Sequence, residues 1–270
     1  SKEGEKGRTL HPMEGRNHPI FSSRSQERRQ RVYSYFLECW RSAGLHFNSM
    51  KSEHILRYVD GPLCLPLLAH LTFILGNQLF FICIQGLLET PSGKEECIYA
   101  AKRANGIPCL LKMQRTDKGW APIFPGWGLV HAETLEIIDP PKMVNEDAIE
   151  ISDWELMDCA TQLVMRELDE EGKKIVSHDS NPDGAPSIYF EGEQKVKNFV
   201  QVIPARYPNL PDVDFKRLRE IKEMVRGYTS GKGFYAEVSL VASEDEGLEG
   251  NLPLLRGRQY TAKFDGLKEI

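Results

Sequence analysis

Ser187-Ile-Tyr-Phe-Glu-Gly-Glu-Gln-Lys-Val-Lys-Asn-Phe-Val-Gln-Val-Ile203 decides how the second half of this chain folds. Its two ends are short and rich in β-branched and aromatic residues, and the turn-like stretch Glu191–Lys195 separates them. That combination predicts an antiparallel hairpin of Ser187–Glu191 with Asn198–Ile203. Upstream, Ser152 stands three residues before Glu155, the spacing of a capping box in which hydroxyl and carboxylate satisfy each other's backbone N–H groups. The helix it opens carries a buried stripe of Leu156, Ala160, Leu163, Val164 and Leu168, and Gly172 ends it. Lys173–His178 reads as a further strand. Beyond the hairpin, a helix from about Asp212 to Gly227 is expected to bury Phe215, Leu218, Ile221 and Val225, with strands at Gly233–Ala242 and Gln259–Phe264.

The order from Ser152 to Ile270 is thus α-β-β-β-α-β-β. It resembles the core of the restriction-endonuclease-like PD-(D/E)xK nucleases, on element order alone. The resemblance implies an Asp at the start of the second core strand and an acid-x-Lys on the third, converging on Mg²⁺ and the attacking water. A literal match is Pro182-Asp183 followed by Glu193-Gln194-Lys195. Glu193 and Lys195 fall in the predicted turn, however, and should point into solvent away from Asp183. On the third strand Gln201 takes the acid position and Ile203 the lysine position. An amide is a weak ligand for a hard cation, and Ile carries no proton. Glu155 or Glu167 on the preceding helix could supply an extra ligand. The expectation is a degenerate, inactive core.

The first half divides differently. Residues 1–30 form an arm with almost no apolar periodicity; residues 1–32 hold eight Lys/Arg against four Asp/Glu. Such a segment cannot bury enough apolar surface to order itself. Val32, Tyr35, Phe36 and Cys39 recur at helical spacing, with Gly44 as the expected stop. A second helix is predicted from Ser49 to Val59. Leu63–Leu75 reads as a buried helix, Gly76-Asn77 as a turn and Leu79–Gln85 as a buried strand. Ser92 should cap a helix from Gly93 to Ala104, and Ile107–Met113 should form a strand parallel to the first. Asp139-Pro140-Pro141 and the acidic residues after it look like a linker. The expected fold class is α+β in two units: arm 1–30, α/β unit 31–139, linker 140–151 and α+β unit 152–270.

Composition sets the function classes. The chain has 270 residues, 41% hydrophobic and 27% charged, with net charge -5, so no global basic field draws it to nucleic acid. Six cysteines lie mostly in apolar runs without CxxC or zinc spacing, which reads as buried thiols in a reducing compartment. The stretch Leu63–Ile84 contains Pro66, His70, Gly76, Asn77 and Gln78, too polar a middle for a membrane span. Thr229-Ser-Gly-Lys-Gly233 follows a predicted helix instead of opening one, so it makes a poor phosphate loop.

Two features suggest contacts with other molecules. Gly119–Val130 packs Trp120 and Trp127, braced by Pro122 and Pro125, into one loop or bent hairpin; tryptophan there serves either a satellite core or an interface. Arg256 and Arg258 flank Gly257 at the mouth of a strand and could clamp an anion or a partner's carboxylate. The expectation is a cytoplasmic interaction or adaptor module working with a protein partner or a second copy, without cofactor or metal, and without a nucleic-acid or membrane role. The alternative is a metal-dependent nuclease using Asp183 with Mg²⁺.

Overall fold

The structure, a computed structural model, describes residues 37–59, 71–86 and 93–270. The basic arm, the apolar residues 63–70 and the Ser92 cap lie outside the described residues.

The first unit opens with helix α1, described over 37–49. It runs on past Gly44, because Cys39, Ala43 and Phe47, at i, i+4 and i+8, make one buried stripe that continues through the glycine. Strands β1 (Leu56–Tyr58), β2 (Phe73–Leu75) and β3 (Gln78–Gln85) then form an antiparallel meander. Both departures from the expected helices have the same cause. Leu75 and Gln78 pair across a two-residue turn in which Gly76 takes φ 58, and that turn commits Phe73–Leu75 to a hairpin. Leu56 and Tyr58 then pack against the core as the next strand outward, so the predicted helix over Ser49–Val59 is absent. Helix α2 (Lys94–Arg103) crosses over to β4 (Ile107–Thr116), which lies parallel to β3 as the strand–helix–strand reading requires. Strands β5 (Gly119–Pro122) and β6 (Leu129–His131) both pair antiparallel with β4, and β7 (Ile137–Ile138) pairs with β6.

A short helix α3 (Pro140–Met143) leads to the second unit. Helix α4 (Asp153–Glu170) carries the expected capping box in full: Ser152 Oγ accepts from Glu155 N, and Glu155 reaches back to Ser152 N. Strands β8 (Ile175–His178), β9 (Ile188–Glu191) and β10 (Lys197–Arg206) are antiparallel neighbours, with Asn198 opposite Phe190 in the predicted hairpin. Helix α5 (Phe215–Val225) crosses over to β11 (Gly233–Ala242), parallel to β10. Strands β12 (Tyr260–Phe264) and β13 (Lys268–Glu269) close the sheet antiparallel to β11. Phe215, expected in the core, is 60% exposed and lies edge-on to Tyr235, because the helix begins beside it after its Asp214 cap.

The two units therefore share one topology: a helix, a three-stranded meander, a crossover helix, a parallel strand, then antiparallel closing strands. Each mixed sheet separates two apolar layers. One layer lies under α1 or α4, and the other under α2 or α5. Together they make an α+β chain in two units.

Candidate cleft between the two units

The junction is built around one side chain. Arg256 Nε donates to Glu155 Oε1 at 2.7 Å and Nη2 to Oε2 at 2.9 Å, a bidentate pair with no solvent exposure on either side chain. The guanidinium also reaches into the first unit, donating to the carbonyls of Ala104 (2.7 Å) and Asn105 (2.8 Å) at the end of α2. These are the carbonyls that a helix C-terminus leaves unpaired, so Arg256 completes α2 with its hydrogen bonds and its positive charge. Glu155 in turn accepts from Ser152 N and Ser152 Oγ, at 2.7 and 2.8 Å. The charge pair is thus surrounded by partners, the condition under which two buried charges are tolerated.

Around it the units close in. Trp154, beside the Glu155 cap, packs on the apolar layer of α2. Asn77, from the β2–β3 turn, donates to Asn145 Oδ1 (2.7 Å) and to the Asp147 carbonyl (2.9 Å), anchoring the stretch read as a linker. The main chain of Arg256 donates to Ile149 O at 2.7 Å and that of Ile151 to Leu254 O at 2.9 Å.

Next to this closed junction lies an open cleft of roughly 1040 Å³. Its floor is the outward stripe of α4, where Cys159, Gln162, Leu163, Arg166 and Glu167 follow one another at helical spacing. One wall comes from β1 and the residues before it, including the exposed Ile55 and Arg57. The other comes from Gly257 through Ala262, at the start of β12. Among the described residues β1 and β12 are the end strands of their sheets. A smaller hollow of roughly 190 Å³ shares Leu163, Glu167 and Ala262 and continues along α4 to Phe264 and Leu267.

Three arginines reach the cleft. Arg57 Nη1 approaches Cys159 Sγ at 3.4 Å. Burial pushes the Cys159 thiol up, with the Arg57 guanidinium pulling the other way. Arg258 holds the exposed Glu244 at 3.3 Å. Arg166 has no ion-pair partner among the described residues. Tyr260 donates its hydroxyl to Leu255 O at 2.5 Å, and burial raises that phenol above its ordinary value.

The residues singled out from sequence are not brought together. Asp183 sits exposed in the turn before β9, its N–H donating to Asn181 Oδ1 at 2.9 Å. Glu193 and Lys195 lie in the exposed turn between β9 and β10, as their spacing implied. Gln201, on the α5 side of β10 opposite Tyr235, donates to Val202 O at 3.2 Å. Glu155 is held by Arg256. Among the described residues no group of three or more His, Cys, Asp or Glu side chains could hold a metal ion. Trp127 is 7% exposed and stacks on Phe73 at 5.9 Å inside the main core, so burial removes it from the surface; Trp120 is half-buried against the same core. Arg256 does clamp a carboxylate, but its own chain's. Of the two predicted clamp residues only Arg258 lines the cleft. The signal that could have found the floor is the run 159, 162, 163, 166, 167, a mixed stripe beside the apolar one on α4.

A protein-family model described as "Domain of unknown function (DUF8840)" matches residues 154–270, so the second unit is similar to that family. No curated protein and no solved structure matches the chain. Among the described residues no helix is long and apolar enough to cross a membrane.

Proposed function

We propose that this chain is a non-catalytic protein-interaction module, and that its working surface is the cleft between the units. The observation carrying this reading is that two sheet edges and the outward stripe of α4 border one cavity of roughly 1040 Å³ beside a closed, fully hydrogen-bonded junction. Pockets of this size at unit boundaries are preferred binding places. Sheet edges offer backbone donors and acceptors that another chain can use.

The α-β-β-β-α-β order of the second unit is the fold-level part of the nuclease alternative, and a degenerate core of that kind is compatible with an interaction role. Cleavage would need Asp183 to meet a second acid at one cation. Asp183 and Glu193 occupy separate exposed turns, and Glu155 is engaged by Arg256. That distribution favours binding over hydrolysis.

The test compares affinity capture by the wild-type chain from its own cells with capture by Leu163→Glu in the cleft and by Phe215→Glu on the opposite side of the second sheet. A specific partner retained by wild type and Phe215→Glu, and lost by Leu163→Glu, supports the reading. Capture indifferent to Leu163→Glu, or Mg²⁺-dependent cleavage of DNA or RNA that Asp183→Ala abolishes, overturns it.

A further inference from the structure

We infer that the hollow of roughly 190 Å³ beside α4 seats a tryptophan side chain of a partner protein, at the place where the first unit seats its own Trp127. This rests on the reading of the cleft as the interaction surface, since cleft and hollow share Leu163, Glu167 and Ala262, and it names what the partner inserts.

The two units correspond in register as well as in element order. Phe73 pairs with Phe80 and Leu75 with Gln78, as Ile188 pairs with Val200 and Phe190 with Asn198. The parallel strands continue the match, with Phe80 opposite Ile107 and Val200 opposite Phe234. On the closing edge, Met113 pairs with Pro122 and Leu111 with Leu129, as Leu240 pairs with Ala262 and Val238 with Phe264. Facing agrees too: Phe73, Phe80 and Leu111 lie under α1, and their counterparts Ile188, Val200 and Val238 lie under α4. The helix stripe Cys39, Ala43 and Phe47 answers to Ala160, Val164 and Leu168, both at i, i+4 and i+8.

Each closing edge is interrupted by an excursion, and there the units part. Residues 123–128 separate β5 from β6 and carry Trp127, which stacks on Phe73 at 5.9 Å and lies 6.3 Å from Phe47. A methyl group on Gly128 would meet Pro122 at 2.6 Å, so this excursion packs tightly on its strand. Residues 265–267 separate β12 from β13, and a methyl group on Gly266 would meet no atom within 4 Å among the described residues. The hollow opens at that point. Leu168 stands in it for Phe47, Ala262 for Pro122 and Phe264 for Leu129, with no side chain in the place of Trp127 among the described residues.

Size and chemistry fit an indole. An apolar cavity of about 150 Å³ is enough to hold a benzene ring. Val164 and Leu168 are buried and form the floor, while Phe264 and Leu267 are half-buried walls. The two carboxylates, Glu167 and Glu171, are exposed and therefore stand at the mouth. A carboxylate there can accept the indole N–H, a bond that phenylalanine or leucine cannot make. Tryptophan is also the side chain that most often anchors an interface by filling a pocket.

The probe is N-acetyl-tryptophanamide, titrated into the isotope-labelled full chain and followed by NMR. Saturable shifts are expected at residues 163–171 and 262–267, with N-acetyl-leucinamide weaker by at least about tenfold. Leu267→Trp and, separately, Ala262→Leu fill the hollow from within. Each should weaken the probe at least about tenfold, and circular dichroism selects the variant that keeps the fold. No saturable shift at about 10 mM overturns the proposal. So does equal binding of the leucine probe, or an affinity unchanged in a folded, filled variant. If the probe fails while capture in cells still depends on Leu163, the tryptophan inference falls and the cleft remains the interaction surface.

Discussion

Arg256 and Glu155 share two hydrogen bonds of 2.7 and 2.9 Å with both side chains fully removed from solvent, and the same guanidinium ends helix α2 of the other unit. Removing either partner leaves the other charge buried without compensation, which costs about 3–5 kcal/mol. Arg256→Met and Glu155→Gln should each lower the urea midpoint strongly. The double variant should lose less than the two losses added, because the second change no longer strands a charge. Additive losses in a double-mutant cycle would show that the pair is not coupled.

Gly257 makes the backbone contact beside it. A methyl group at this position would meet the Gly76 carbonyl oxygen at 2.3 Å, and φ is +81, where side chains other than glycine are strained. Gly257→Ala should push the two units apart and cost more than about 1 kcal/mol. Thermal unfolding checks this; an unchanged Tm would mean the approach is not tight.

Trp127 should behave as core. Its contacts with Phe47 and Phe73 are lost in Trp127→Ala, for about 3–5 kcal/mol and a Tm lower by about 10 °C. Partner capture through the cleft should persist in the surviving folded fraction. A Tm near wild type with weakened partner capture would instead make Trp127 an interface residue.

Cys39 supplies a pH dependence. Burial pushes its thiol up to about 12 from an ordinary 9.0. Between these values the unfolded chain has released the proton and the folded chain keeps it, so this group's contribution to stability falls as pH rises from about 9 to 12. At pH 8 the folded protein should also protect Cys39 from iodoacetamide, since the thiolate is the reacting species. Rapid alkylation of Cys39 in the folded chain, read by mass spectrometry, would contradict its burial.

The second unit was legible because its signals are local: the capping box at Ser152 and Glu155, the Gly-containing hairpin turn, and alternating β-rich runs placed α4, β9, β10, β11 and β12 within a few residues. The first unit repeats the same order, yet that repetition was hidden. Phe73–Leu75 and Leu56–Tyr58 are three-residue strands, too short to show alternation, and they belong to the sheet only through pairing across the Gly76-Asn77 turn. Phe215 misled for the opposite reason: its spacing fits the apolar stripe of α5, but the first turn of that helix overhangs solvent. The cleft was not legible at all. Arg57, Arg166 and Tyr260 are brought together by the packing of two units, which no spacing along the chain encodes. Arg256 was recognisable as a carboxylate clamp, but which carboxylate it holds depends on a contact 101 residues away.

Amide hydrogen exchange along β12 tests the central claim most directly. On saturation with the captured partner, amides of α4 and β12 that border the cleft should slow, and the Gly119–Val130 segment should be unaffected. Slowing confined to Gly119–Val130 or to α5, with β12 unchanged, would contradict the assignment of the cleft as the working surface.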